Sequence, residues 1–263
     1  MDLQLATKRA FISGSTQGIG YAIAKALLRE GAEVVINGRD ETRLEQSVRS
    51  LEHELPGARV TGIAADFANA AHVQRLLRSL GPVDILVNNV GVFEVKAFSD
   101  IADAEWARYF DLNVMSGVRL SRELLPAMIA SGWGRIIFIS SESGVNVPAD
   151  MTHYGVTKAG MLAVSNGLAK LTRGTRVTVN AILGGPTYSD GVANAIRDIA
   201  DAQGLPADLL KERVISANTT SLLERFIEPD EIANLAAYLA SPLSSATNGA
   251  ALRADGGVLT TLL

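Results

Sequence analysis

The stretch Ser13-Gly14-Ser15-Thr16-Gln17-Gly18-Ile19-Gly20 decides how the chain is read. An apolar run over residues 10–13 leads into it, and a helical pattern over residues 19–29 leaves it. Glycines alone are a weak signal, and a merely flexible loop is the bland alternative. Their place between a strand and a helix is what carries the argument. Glycine allows a tight turn and lets a pyrophosphate approach the backbone. The helix that follows offers unpaired N–H groups and a partial positive charge to phosphate oxygens. Gly14, Ser15, Thr16, Gln17, Gly18, Ile19 and Gly20 are therefore expected to cradle a dinucleotide.

Outward from this turn, apolar runs recur at residues 34–36, 60–64, 85–87, 136–139, 177–182 and 250–252. Helical patterns at 41–54, 70–78, 105–130, 154–172 and 229–240 separate most of them. Such alternation predicts an α/β fold: one doubly wound parallel sheet of about seven strands with helices on both faces. The strands read as nearly continuous apolar runs, as expected where both faces are covered. Gly31 suits a helix C-terminal cap, and Pro229 suits a first helical turn. Residues 190–220 are helical but irregular, and are expected to form a substrate lid on a single domain spanning 1–263.

The tip of the second strand carries Asn37-Gly38-Arg39 where many dinucleotide sites place an acid against the ribose hydroxyls. A guanidinium there can pair with a 2′-phosphate that a carboxylate would repel. Asn37 and Arg39 thus favour NADP(H), with NAD(H) possible; the alternative is a solvated Arg39 beside Asp40. After the third strand, Asp66 can accept a bond from an adenine amino group, with Phe67 against the ring, or simply cap a helix. Asn88-Asn89-Val90-Gly91 follows the fourth strand and is either a tie between ligand-binding loops or an ordinary turn.

The chemistry concentrates in Tyr154-Gly155-Val156-Thr157-Lys158. Positions i and i+4 share a helical face, so an ammonium lies one turn from a phenol. That cation is expected to lower the Tyr154 pKa from its reference near 10, making it a proton donor and acceptor for a carbonyl oxygen. A surface contact is the alternative. Ser141 ends the fifth strand 13 residues earlier, where its hydroxyl could polarise the same carbonyl. Asn113 is a poor mid-helix residue within 105–130 and marks a candidate distortion.

Together these motifs resemble the short-chain dehydrogenase/reductase family over nearly the whole chain. Matching in order are the turn at 14–20, Asp66, Asn88 to Gly91, Asn113, Ser141, Tyr154, Lys158, residues 180–189 and Asp255-Gly256-Gly257. The resemblance implies a Rossmann-type fold and a nicotinamide cofactor. It implies Tyr154 as general acid/base, Lys158 lowering its pKa and holding the nicotinamide ribose, Ser141 orienting substrate, and Asn113 anchoring a relay water. It extends the cofactor contacts to Asn89, Val90, Gly91, Tyr154, Lys158, Gly185 and Thr187, and implies a homotetramer or dimer. Val90 stands where the family usually has Ala, Ser13 where it has Thr, and Gly184 where it has Pro. The last is expected to loosen a loop against the carboxamide.

Composition narrows the rest. The 263 residues carry a formal net charge of -4, which does not favour nucleic acid or an anionic membrane. There is no cysteine, and His53, His72 and His153 lack ligand spacing, so no metal is expected. No run approaches the roughly 18 apolar residues of a membrane span, and residues 1–10 lack a signal-peptide core, so a cytoplasmic protein is expected. The leading expectation is an NADP(H)-dependent enzyme moving a hydride to or from a carbonyl or secondary alcohol, such as a 3-oxoacyl or other ketone reductase. A non-catalytic NAD(P) sensor and a dehydratase or epimerase on the same fold are the alternatives. Residues 93–95, 144–150 and 187–199 are expected to wall the substrate pocket without naming the substrate.

Overall fold

The computed structural model describes residues 1–262. Seven strands form one sheet: β1 (Arg9–Ile12), β2 (Glu33–Gly38), β3 (Arg59–Ala64), β4 (Ile85–Asn88), β5 (Gly134–Ser141), β6 (Val177–Gly184) and β7 (Ala251–Ala254). Their order is β3-β2-β1-β4-β5-β6-β7, and every pairing is parallel. This is the doubly wound Rossmann-like arrangement expected from the alternation of patterns. The order reverses between β1 and β4, and ligands bind such sheets outside the carboxyl ends at that switch point.

The central strands β2, β1, β4, β5 and β6 are buried on both faces because each face meets helices. Ile12, Val34, Ile36, Val87, Ile137 and Ile139 pack beneath α1 (Gly18–Arg29), α2 (Glu41–Glu54) and α9 (Pro229–Ala240). Their alternating neighbours Phe11, Val35, Leu86, Ile136 and Phe138 pack beneath α3 (Ala70–Leu80), α5 (Ser116–Ser131) and α6 (Thr152–Leu171). The two cores fix the strand register, since a slip of one residue would exchange the two faces.

Two stretches differ from the sequence reading. The single helix expected over 105–130 is α4 (Asp103–Phe110), a π-helical turn (Asp111–Met115) and then α5. The wide turn is centred on Asn113, the residue marked as a distortion. Residues 190–220 resolve into α7 (Asp190–Gln203) and α8 (Ala207–Ala217), broken at Gly204-Leu205-Pro206. No residue of α8 is buried, whereas α7 buries Ile196 and Ala200.

Candidate active site

The glycine turn is held open by its neighbours. Gly14 and Gly18 have φ of 62° and 59°, left-handed backbone that glycine adopts without strain. At Gly20 a Cβ would lie 2.5 Å from both Asn89 Nδ2 and Gly14 O, so only glycine fits. Asn89 Nδ2 donates to Gly14 O at 2.7 Å and to Ser13 O at 3.1 Å, tying the tip of β4 to the turn. Ser13 Oγ accepts from the backbone N–H of Asn89 at 3.0 Å, so serine supplies the hydroxyl that threonine usually brings. Val90 packs against Gly14, where a Cβ would meet its Cγ2 at 3.2 Å.

Above the turn lies a cavity of about 630 Å³. Gly14, Thr16, Gln17, Gly18, Ile19, Asn37, Arg39, Asp66, Phe67, Asn89, Val90 and Gly91 line it as expected. A dinucleotide fits this cradle: the glycine turn and the α1 N-terminus at one side, a guanidinium at the β2 tip, and a glycine at position 20 where any side chain would intrude. The sequence reading missed Arg43, whose Nη1 donates to Gln17 Oε1 at 2.6 Å at the cavity's rim. The signal was available, since Arg43 follows Arg39 by four residues, in the first turn of α2. Ser189 and Gly191, expected only within the substrate-pocket wall at 187–199, come over the turn at the start of α7.

Several of the expected residues also serve as supports. Ser15 is wholly buried; its Oγ donates to Ile12 O at 2.7 Å and accepts from Asn37 N at 2.9 Å. The Asn37 amide is spent on Gly14 N, Ile63 O and Ala65 O, which leaves no free donor for a ribose. Phe67 is 3% exposed; its ring belongs mainly to the core with Val73 and Leu76, and the residue lines the cavity beside Asp66. Asp66 Oδ1 caps its own loop through Ala68 N at 2.9 Å. Gly185 is pressed on the Asp255 backbone, and Thr187 Oγ1 donates to Gly185 O at 2.9 Å; neither lines the cavity. Gly184 loosens nothing, because β6 pairs it with Ser141 on one side and Ala254 on the other.

The chemical residues do not line this cavity; they gather just behind its Gly91, Val92 and Phe93 wall. Tyr154 and Lys158 occupy one face of α6, with Lys158 Nζ 5.5 Å from the phenol ring centroid. That Nζ donates to Ile139 O at 2.9 Å and lies 3.4 Å from where a Gly91 Cβ would be. Asn113 accepts from Val92 N at 2.8 Å and donates to Val92 O and Thr157 Oγ1, joining the π-helical turn to both the β4 loop and α6. Phe93 sets its edge against the Tyr154 ring, centroids 6.4 Å apart.

Ser141 reaches the phenol because two glycines let its loop lie on α6. A Cβ on Gly144 would come within 2.8 Å of the Lys158 carbonyl carbon. One on Gly155 would come within 2.5 Å of Val147 Cγ1 and 2.8 Å of Ser143 O. Neither glycine was singled out from the sequence, although glycine inside a helix is itself a sign of close packing.

The electrostatics depart from the expectation of an acidic phenol. Burial pushes Tyr154 up to about 12, and the Ser141 hydroxyl only partly offsets this. Burial also pulls Lys158 down to about 8, still leaving it mostly protonated at neutral pH. Low dielectric penalises both charged forms, and a cation 5.5 Å from the ring centroid does not overcome that in the ligand-free protein.

Fold and site together define an oxidoreductase of the Rossmann type. The sequence profile of the short chain dehydrogenase family matches residues 8–200, and the chain belongs to that family of NAD(P)-dependent enzymes. It is 44% identical over 268 residues to the uncharacterized oxidoreductase YvrD of Bacillus subtilis (strain 168), covering 100% of both chains. It is 32% identical over 254 residues to D-beta-hydroxybutyrate dehydrogenase of Cupriavidus necator, covering 95% of this chain and 97% of that one. L-sorbose reductase from Gluconobacter frateurii, solved with NADPH and L-sorbose, superposes with a TM-score of 0.93 at 34% identity, covering 100% of each chain. No helix among the described residues is long and apolar enough to cross a membrane.

Proposed function

We propose that this enzyme uses NADP(H) to interconvert a carbonyl compound and a secondary alcohol. The observation that carries the reading is the convergence of Ser141, Tyr154 and Lys158 beside Gly91 and Phe93, residues of a cavity that also presents Arg39 and Arg43. Arg39 and Arg43 would hold a 2′-phosphate, and the amides of the glycine turn would hold the pyrophosphate. When bound, the nicotinamide supplies or takes up the hydride.

The chain's own groups handle the proton. Tyr154, protonated in the free enzyme, gives its proton to the substrate oxygen in reduction and takes it back in oxidation. Ser141 donates to the same oxygen and stabilises charge that develops there. The Lys158 ammonium favours the phenolate left on Tyr154. Asn113 holds Thr157 and Val92, and so fixes the faces on which phenol and cation sit.

Residues 190–220 act as the lid. Ser189 and Gly191 already overhang the glycine turn, and α8 has no buried residue to restrain it. Phe93, Val145 and Val147, all partly exposed, give the mouth apolar walls beside the phenol. The test is a panel of ketones, sugars and 3-oxoacyl compounds assayed with NADPH and NADH in parallel. Turnover favouring NADPH, abolished in Tyr154→Phe with cofactor binding kept, is expected. Tight NADPH binding with no turnover across the panel would leave a sensor instead.

A further inference from the structure

At the opposite end of the sheet a second cavity of about 380 Å³ opens where β5 and β6 begin. Eight-residue strands separate it from Ser141, about 25 Å at the usual rise per strand residue. Its floor contains Arg135 and Thr178, register partners on adjacent strands whose side chains share a sheet face. Its rim includes Arg176, Ser245 and Asn248, and Trp133 forms one wall.

The charge balance here is unusual. Arg135 is 2% exposed, yet no carboxylate among the described residues pairs with it. Its Nε donates to Ser241 O at 3.2 Å, and its Nη1 donates to Gly134 O at 2.9 Å and Arg176 O at 2.8 Å. Nη2 has no protein acceptor. Burial, and then the like charge of Arg176, draw the guanidinium down to about 10. Thr178 Oγ1 is buried and also has no partner. Lys8 lies 3.9 Å from the Trp133 ring centroid and has Asp84 to answer it, whereas Arg135, 4.6 Å from the same ring, has no such acid. A buried cation and a buried hydroxyl each cost free energy when unpaired. Both gain a partner at once if an anion with several oxygens enters the cavity. None of the nine residues lining it is acidic.

We propose that this cavity is a binding site for a small oxyanion, a phosphate or carboxylate group, held by Arg135, Arg176 and Thr178. The guanidinium Nη2 and the Thr178 hydroxyl donate from the floor. Arg176, exposed at the rim, supplies the second charge and closes over the anion. The site is distinct from the dinucleotide cavity and does not depend on the function assigned to it.

Trp133 makes the test local. The chain has two tryptophans, so Trp106→Phe leaves Trp133 as the sole indole reporter. Inorganic phosphate and citrate are titrated separately into that protein, with chloride at matched ionic strength as the control. A saturable change in Trp133 emission with either probe, absent with chloride, is expected; which probe binds tighter tells phosphate from carboxylate. Arg176→Glu, a surface change, should abolish the response, and Thr178→Val should weaken it roughly tenfold by removing one donor to a charged acceptor. No saturable response to either probe, or an undiminished response in Arg176→Glu, overturns the proposal.

Discussion

The backbone N–H of Gly18 donates to the Asp190 carboxylate at 2.7 Å. Gly18 is the first residue of α1 and Asp190 the first of α7, so the start of α7, the proposed lid, is fastened to the glycine turn. The carboxylate therefore rests on a helix N-terminus that the proposed function gives to a pyrophosphate, and both anions want the same amide. Asp190→Asn should tighten NADPH binding about two- to fivefold, the scale of one charge at a helix end. Fluorescence titration of the cofactor reads this directly. Weaker binding in the variant would mean that Asp190 supports the cofactor instead of competing with it.

Arg39 and Arg43 make cofactor choice testable. If the exposed Arg39 pairs with a 2′-phosphate, Arg39→Ala removes a charge-assisted contact that NADH never makes. The Kd for NADPH should rise roughly tenfold or more, with NADH binding little changed. Equal losses for both cofactors would instead indicate a general electrostatic effect, with Arg39 outside the phosphate site.

The buried Lys158 sets catalysis against stability. Its pKa falls from 10.5 in the unfolded chain to about 8 in the fold. Below pH 8 both states are protonated and the folded state carries the full desolvation cost. Between about 8 and 10.5 the unfolded chain binds more protons, so this group makes stability rise with pH. Lys158→Met removes the cost, and at pH 7 should stabilise the cofactor-free protein by about 1–3 kcal/mol after the lost bond to Ile139 O. Turnover should fall at least about a hundredfold. Denaturant unfolding at pH 7 and pH 10, where the difference should shrink, checks the sign.

The same shift shows where the sequence was legible and where it was not. The fold was readable because the central strands carry apolar residues on both faces, as in Phe11 and Ile12, and because Gly31 and Pro229 punctuate the helices. The grouping of Ser141, Tyr154 and Lys158 followed from motif spacing, and Asn113 joined them through the family resemblance. What spacing cannot give is how an amide is spent: Asn37 and Ser15 sit at the expected place but turn inward to backbone groups. Nor can it give the dielectric. A cation one turn from a phenol looks acidifying on a helical wheel, yet burial dominates once both groups are enclosed. Asp190, 172 residues from Gly18, had no local signature at all.

That burial gives Tyr154 a spectroscopic test. With its pKa near 12 in the free protein, the phenol stays protonated through neutral pH. Difference absorbance of wild type against Tyr154→Phe, without cofactor, should show no phenolate from residue 154 below about pH 10.5. Ionisation near pH 7 in the free protein would mean that Lys158 outweighs desolvation. Any acidification seen only with oxidised cofactor would place the deciding charge on the nicotinamide.

Gly155 tests how tightly Ser141 must be placed. A methyl group there meets Val147 Cγ1 at 2.5 Å and Ser143 O at 2.8 Å, and Ser143 N is the donor to Ser141 Oγ at 3.1 Å. Val147 can turn aside, but the Ser143 carbonyl can move only with its loop, carrying Ser141 away from the phenol. Gly155→Ala should therefore cost about 1–3 kcal/mol of stability through overpacking. It should also lower kcat tenfold to a hundredfold, as misplacement by about 1 Å does, with cofactor affinity held. Gly167 is the control: it lies in the same helix, exposed, with nothing within 4 Å of a Cβ. Gly167→Ala should stabilise the helix by up to about 1 kcal/mol and leave kcat unchanged. If Gly155→Ala kept full activity, the hydroxyl of Ser141 would not need the position that the loop gives it.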